Sequence, residues 1–292
     1  MSTALAAGPG THRRPRARHI VASVAVILLA ATTAACSPEA DDGGGGTNDA
    51  VGHVHGLGVD PADGQLMVAT HTGLFRLDDA SEALELAGPV QDYMGFTVVG
   101  AGNFLASGHP GEGQEGPAAL GLIESTDGGE TWQPVSLSGE VDFHSLDTSG
   151  NQTFGLDSGT GSILSSTDRQ EWSSGAPTPL ADIAVNPDGT QLVGTTEGGV
   201  LSSDDGGASF AGLSGSPVVA VVDWGADGTL VGVDPDGVVY STSDLATWKE
   251  LADLGSYPQA IAVEDDQIFV AVEDRIVVSD DAGATFEDVI GL

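Results

Sequence analysis

The stretch Ser125 to Trp132, STDGGETW, recurs along the chain in altered copies: SSTDRQEW ending at Trp172, SSDDGGASF at Phe210, STSDLATW at Trp248 and SDDAGATF at Phe286. Their aspartates, Asp127, Asp168, Asp205, Asp244 and Asp281, lie 41, 37, 39 and 37 residues apart, so the chain is an array of units of about forty residues. The unit from Leu180 to Gly212 shows the internal plan: ADIAV, the turn NPDG, QLVGTT, the turn EGG, VLSS, the aspartate turn and SFAGL. Short apolar runs between Asp/Asn-Gly and Gly turns predict four strands per unit and no helices. Six units fit, at about 53–88, 90–139, 140–177, 178–214, 216–253 and 256–292. The first lacks a clean copy of the aspartate turn, but its HGLGVDPADGQLMVAT matches the later units. The expected fold is all-β, a six-bladed β-propeller of four-stranded blades closed into a ring, with residues 47–52 available as a closing strand.

Each residue of the repeated turn has a local reason. Aspartate accepts from backbone N–H groups two residues on, glycine takes positive φ, and the aromatic packs between neighbouring blades. The pattern S-x-D-x-G-x-T-W resembles the Asp-box, or BNR repeat, of bacterial sialidases and sortilin-type receptors. Across residues 51–292 the chain looks like propellers described as "glycosyl hydrolase, BNR repeat". The resemblance implies that this hairpin joins the third and fourth strands on the face opposite the working one, making the five aspartates structural. Asp168 and Asp244 sit in copies one residue short and without the glycine, a local degeneration.

Residues 1–35 read as a signal peptide: a basic stretch from His12 to His19, then an apolar run from Ile20 to Ala31, too short to span a bilayer as a helix. Thr33-Ala34-Ala35-Cys36 resembles a bacterial lipobox, which implies lipidation at Cys36 and an extracytoplasmic protein anchored to the membrane. Residues 36–50 hold the lipidated cysteine and a flexible linker containing four consecutive glycines, and residues 51–292 form the single propeller domain. Cys36 is the only cysteine, so no intrachain disulfide forms. The chain carries 43 acidic and 8 basic residues, a net charge of −35. Four of the eight lie between Arg13 and Arg18, so the rest of the chain has 4 − 43 = −39. Such a surface excludes nucleic acid as a partner and attracts cations, although acidity alone also serves solubility.

The histidines beyond the signal carry the functional reading. His53 and His55 precede the first strand of unit one, and His71 lies in the turn between its second and third strands. His109 opens the insertion SGHPGEGQEGPAALG at the same turn in unit two, and His144 begins the first strand of unit three. Aligning first strands places His55, Met94 and His144 in one register, at the mouth of the central channel. Imidazoles with a thioether suit copper first and zinc next. The expected metal ligands are His55, His71, Met94, His109 and His144, with His53, Asp92 and Asp142 orienting them or joining them. The plain alternative makes the histidines hydrogen-bonding fillers of a polar channel and Met94 a core residue; a small polar ligand is the other occupant the mouth admits.

Two further readings stand beside metal binding. The resemblance to sialidases implies glycoside hydrolysis, but the arginine cluster that family needs is missing: Arg169 lies in an aspartate turn, Arg76 in a third strand, and only Arg275 is placed to approach the mouth. A pair of carboxylates from Asp92, Asp142, Asp182, Glu112 and Glu115 remains available for hydrolysis, with Tyr93 and Trp224 as sugar platforms. The third reading is a protein-interaction scaffold, with the insertion from His109 to Leu120 as its prominent surface feature.

Overall fold

The turn residues divide the chain as their spacing predicts. The computed structural model describes residues 51–78 and 83–292. The signal segment, Cys36 and the linker up to residue 50 lie outside the described residues. Among those described, 24 strands form six antiparallel four-stranded sheets, each ordered as in the chain, and no helix forms. The blades span Val54–Leu86, Asp92–Ser136, Phe143–Ser174, Ile183–Gly212, Val221–Asp253 and Pro258–Gly291. Their innermost strands are Val54–Asp60, Asp92–Gly100, Phe143–Ser149, Ile183–Val185, Val221–Trp224 and Pro258–Glu264. Each innermost strand touches the next, and that of blade six touches that of blade one, so the chain is a closed six-bladed propeller.

Among the described residues, closure is by packing and not by strand exchange, since blades one and six each take four strands from their own unit. In the stretch 47–52 only Val51 and Gly52 are described, and they do not add a strand. Val51 is 1% exposed and joins Val54, Leu57, Ala260, Phe269 and Ile276 in the core between the first and last blades. The other junctions are filled in the same way, each with the aromatic of one repeated turn: Trp132, Trp172, Phe210, Trp248 and Phe286 pack against the five remaining inter-blade clusters. Large aromatics suit this place because blades diverge outward and leave a wedge that small side chains cannot fill.

The repeated turn joins the third and fourth strands of its blade, and its hydrogen bonds are local. Asp127 Oδ1 accepts from Ser125 Oγ at 2.8 Å and Thr131 N at 2.9 Å, and Oδ2 accepts from Thr131 Oγ1 at 2.6 Å. Asp205 repeats the arrangement with Ser203 and Ser209, and Asp281 with Ser279 and Thr285. The Ser209 hydroxyl and backbone N–H, with Ser203, hold the Asp205 carboxyl down at about 2. In the two shortened copies Asp168 and Asp244 still accept two backbone N–H groups each, from Gln170 and Glu171 and from Ala246 and Thr247. There Arg169 and Leu245 adopt φ of 60° and 57°, the left-handed conformation that Gly128 and Gly206 supply elsewhere. Arg169 is held there by Glu124 Oε1 at 3.1 Å.

One structural device had no signature in the repeat. The inner edge of every blade would leave backbone N–H groups unpaired toward its neighbour, and a side-chain acceptor meets one at each of the six junctions. Asp60 Oδ1 accepts from Gly102 N, Ser107 Oγ from Phe143 N and Asp147 Oδ2 from Val185 N. Asp182 Oδ2 accepts from Val222 N, Asp223 Oδ2 from Val263 N, and Gln259 Oε1 from Val54 N, which closes the ring.

Asp147, Asp182 and Asp223 line the channel, and burial pushes the carboxyl of each above its usual range, Asp147 to about 7. A folded-state pKa raised above the unfolded value of about 3.8 means the native state holds the extra proton, so stability is greatest below that value and falls as pH rises through about 7. The expected result is a melting temperature several degrees higher at pH 5 than at pH 8, recorded in about 0.5 M salt to screen the net negative charge. A flat or rising profile over that interval would show instead that the backbone hydrogen bonds keep the three carboxylates ionised.

Candidate functional site

The first strand of blade one carries a β-bulge that sets His55 apart from the ladder: Val54 pairs with Thr70 and Gly56 with Ala69, leaving His55 without a cross-strand partner. Blade two is bulged at Met94, blade three at His144 and blade six at Gln259. A bulge re-aims one side chain while the strand on either side stays paired. The aligned register of His55, Met94 and His144 is therefore a set of bulges at the start of the innermost strands, and all three line a central channel of about 640 Å³ together with His53 and Gln259. Two glycines permit close approach here, Gly95 between blades two and three and Gly108 between the first two strands of blade two. A Cβ on Gly95, beside Met94, would lie 2.7 Å from the carbonyl oxygen of Phe143, and one on Gly108, beside His109, would lie 2.0 Å from that of Asp92.

His71, in the turn after the second strand of blade one, and His109, at the end of the second strand of blade two, reach the same mouth. His55 Nε2 lies 3.0 Å from His71 Nε2 and 3.3 Å from His71 Nδ1, and His71 Nδ1 lies 3.0 Å from Asp92 Oδ1. His55, His71 and Asp92 each place one ligand atom within 4.8 Å of the other two. The second oxygen of Asp92 lies 3.2 Å from His109 Nδ1. His109 Nε2 is 3.5 Å from Asp142 Oδ2, which in turn lies 2.8 Å from His144 Nε2 and accepts from Ser158 Oγ at 3.1 Å. His53 stacks on His55 with ring centroids 4.8 Å apart and places Nδ1 2.9 Å from the Val54 carbonyl oxygen.

The electrostatics differ along this row. Burial, reinforced by the neighbouring His71 and His53, lowers His55 to about 4, so at neutral pH its ring is uncharged and carries a free lone pair. The hydrogen bond to Asp142 raises His144 against the opposing effect of burial. Burial pushes Asp142 upward, but the hydrogen bond and charge of His144, with His109 and Ser158, outweigh it and leave the carboxyl below its usual range. Asp142 Oδ1 is buried without a hydrogen-bond partner.

Asp92, expected to orient the histidines or to join them as a ligand, is a member of the tightest group, with one oxygen beside His71 of blade one and the other beside His109 of its own blade. Met94 lines the channel wall in the expected register. Several expectations are corrected. Tyr93 is fully buried between blades and packs on Trp132 at 5.2 Å, so it is a core residue and no sugar platform. Trp224 ends its innermost strand, away from the mouth where such strands begin, with Nε1 enclosed and without a partner. Arg275 is held at the rim of blade six by Asp274, Asp288 and the Leu254 carbonyl, so it does not approach the mouth. Asp182 is consumed by backbone and by Ser145 Oγ at 2.8 Å. Glu112 and Glu115 are exposed on the insertion, which is tied down by Gln114 Nε2 donating to the Val90 carbonyl and Leu120 N to that of Gly108.

The chain matches no protein-family model and no curated protein. Its fold is similar to solved β-propellers at low identity. A chain of a nidogen/laminin complex is 14% identical with a TM-score of 0.61, over 77% of this chain and 92% of that one. YCF48 bound to D1 peptide is 16% identical with a TM-score of 0.53, over 83% of each. Virginiamycin B lyase from Staphylococcus aureus is 13% identical with a TM-score of 0.56, over 83% of this chain and 85% of that one. At these identities the likeness shows the fold alone.

Proposed function

We propose that this propeller is a ligand-binding module that holds a transition metal, copper or zinc, at its channel mouth, and that it is carried outside the cytoplasm on a lipid anchor at Cys36. The observation that carries the metal reading is the group of His55, His71 and Asp92. Metal–nitrogen bonds of about 2.0–2.1 Å in tetrahedral geometry separate neighbouring ligand atoms by roughly 3.3–3.4 Å. His71 Nδ1 lies 3.3 Å from His55 Nε2 and 3.0 Å from Asp92 Oδ1, close to that spacing, and the three ligand atoms lie within 4.8 Å of one another. Two imidazoles and a carboxylate suit zinc and Cu(II), and the Met94 thioether on the same wall would extend the set toward Cu(I). The neutral His55 supplies a lone pair without first losing a proton.

The hydrolase reading has less support. A glycosidase needs one carboxyl held protonated as an acid, whereas Asp142 at the mouth is held below its usual range, and the carboxyls that burial raises, Asp147, Asp182 and Asp223, are engaged by backbone N–H groups of the neighbouring blades. One observation favours the interaction reading: the exposed Val90 and Tyr257 sit on connectors that lead into innermost strands around this mouth. A protein partner bound there would be lost with Tyr257→Ser while metal content stayed unchanged.

The metal reading is tested on untagged protein stripped with a chelator, exposed to Cu(II) or Zn(II) and desalted before elemental analysis. At least one equivalent per chain is expected, retained against a competing weak chelator. Protein that emerges without metal in both cases ends this reading.

A further inference from the structure

His109 shares the mouth with His55, His71 and Asp92, yet it stands outside their group. Its ring nitrogens face opposite ways, Nδ1 toward Asp92 Oδ2 at 3.2 Å and Nε2 toward Asp142 Oδ2 at 3.5 Å. Among the described residues, only His55, His71 and Asp92 bring ligand atoms within 4.8 Å of one another. What His109 does reach is the oxygen of Asp92 that this group leaves over, since Oδ1 is the one that faces His71, at 3.0 Å.

Resting on the metal reading above, we propose that His109 is a positioning residue and no ligand: its Nδ1–H donates to Asp92 Oδ2, so that Asp92 meets the ion through Oδ1 alone.

Three features carry this assignment. The contact is built into the sheet, because Asp92 and His109 are cross-strand partners in the first two strands of blade two. Gly108, at φ 145°, lets those strands run so close, since a Cβ there would lie 2.0 Å from the Asp92 carbonyl oxygen. Chemistry then sets the direction of the bond: a carboxylate oxygen only accepts, so Nδ1 carries the hydrogen and offers no lone pair to a metal. Finally, the ring is braced on its far side. Asp142 stands beside Nε2 and is itself held by His144 Nε2 at 2.8 Å and Ser158 Oγ at 3.1 Å. A carboxylate with one oxygen occupied in this way presents a single donor in a fixed direction, which suits a four-coordinate ion such as zinc, and partners that orient ligands commonly act so. Calcium, in contrast, takes six to eight oxygens and often both from one carboxylate.

The test measures Zn(II) affinity of the untagged full chain by competition with a chromophoric chelator, in the parent and in three variants. His109→Ala is expected to bind about 10–100-fold more weakly, with the stoichiometry unchanged. His109→Asn places an amide N–H near the position of Nδ1 and should keep most of the parent's affinity, whereas His109→Gln carries its N–H out toward the position of Nε2 and should fall with alanine. The comparison of asparagine with glutamine holds whatever the stability of the alanine variant. Asparagine no better than glutamine, or alanine within a few-fold of the parent, overturns the proposal. Electron paramagnetic resonance with bound Cu(II) gives a second readout: the nitrogen couplings should be those of two imidazoles in the parent and in His109→Ala alike. A third imidazole that disappears in His109→Ala would make His109 a ligand, overturning the positioning role and leaving the metal reading intact. A parent protein that binds neither ion ends the metal reading itself.

Discussion

Replacing His71 by alanine is expected to weaken metal binding by more than about 100-fold while leaving the melting temperature of the metal-free protein within a few degrees of the parent. Loss of a partner that merely orients a ligand costs roughly 10–100-fold in metal affinity, and loss of a ligand itself should exceed that range. The fold should tolerate the change because the His71 side chain is 48% exposed and its ring meets the mouth groups His55, His53 and Asp92. The turn that carries it is held by others: Thr70 Oγ1 donates to the Gly73 carbonyl at 3.0 Å, and Thr72 N donates to Thr70 Oγ1 at 3.1 Å. The measurement is competition against a chromophoric chelator, with thermal melts of both proteins without metal. His53→Ala serves as the comparison, since His53 stacks on His55 and should change affinity by no more than about tenfold. Affinity of His71→Ala within a few-fold of the parent would remove His71 from the ligand set and the tightest group of donors with it.

The second large effect concerns the ring and not the mouth. Asp182→Ala is expected to destabilise the propeller by about 3–5 kcal/mol, lowering the melting temperature by roughly 10 °C for a domain of this size. Asp182 Oδ1 accepts from Ser145 Oγ at 2.8 Å and Ile183 N at 2.9 Å, and Oδ2 accepts from Val222 N at 3.0 Å, so one side chain ties blades three, four and five together. Alanine leaves the Val222 N–H and the Ser145 hydroxyl without the acceptor that joins them. Working against this, the variant no longer buries a carboxyl whose pKa is raised by desolvation. The lost hydrogen bonds outweigh that relief, and chemical denaturation measures the difference. Unchanged or increased stability would mean that the burial cost cancels the bonds. Asp182→Asn should fall between the two, because an amide keeps one acceptor and presents N–H to a donor on its other side.

The ring itself was largely legible in the sequence. Asp127 and its four repeats gave the period, the number of units and the place of the third turn, because a hairpin of this kind is satisfied by hydrogen bonds within eight residues and depends on no distant partner. The shared position of His55, Met94 and His144 was also readable, since the same offset from the first strand recurs in three units. The bulges that turn these three toward the channel were not, because a bulge is a relation between two strands and the local composition does not mark it. For the same reason nothing local marks Asp147, Asp182 and Asp223 as acceptors between blades, although each meets a backbone N–H 38 to 40 residues further on.

What the sequence by itself determined is the fold and the gathering of five histidines on one end of it, both consequences of local periodicity repeated six times. Only the tertiary structure decided how those histidines are joined. It placed Asp92 between His71 and His109, which are 38 residues apart in the chain, and it consumed Asp182, Tyr93 and Arg275 in the framework. The division has a physical cause. Turn chemistry acts over a few residues and is written in their order, whereas the two oxygens of one carboxylate acquire different partners only when blades close against each other, at separations no pattern of residues records.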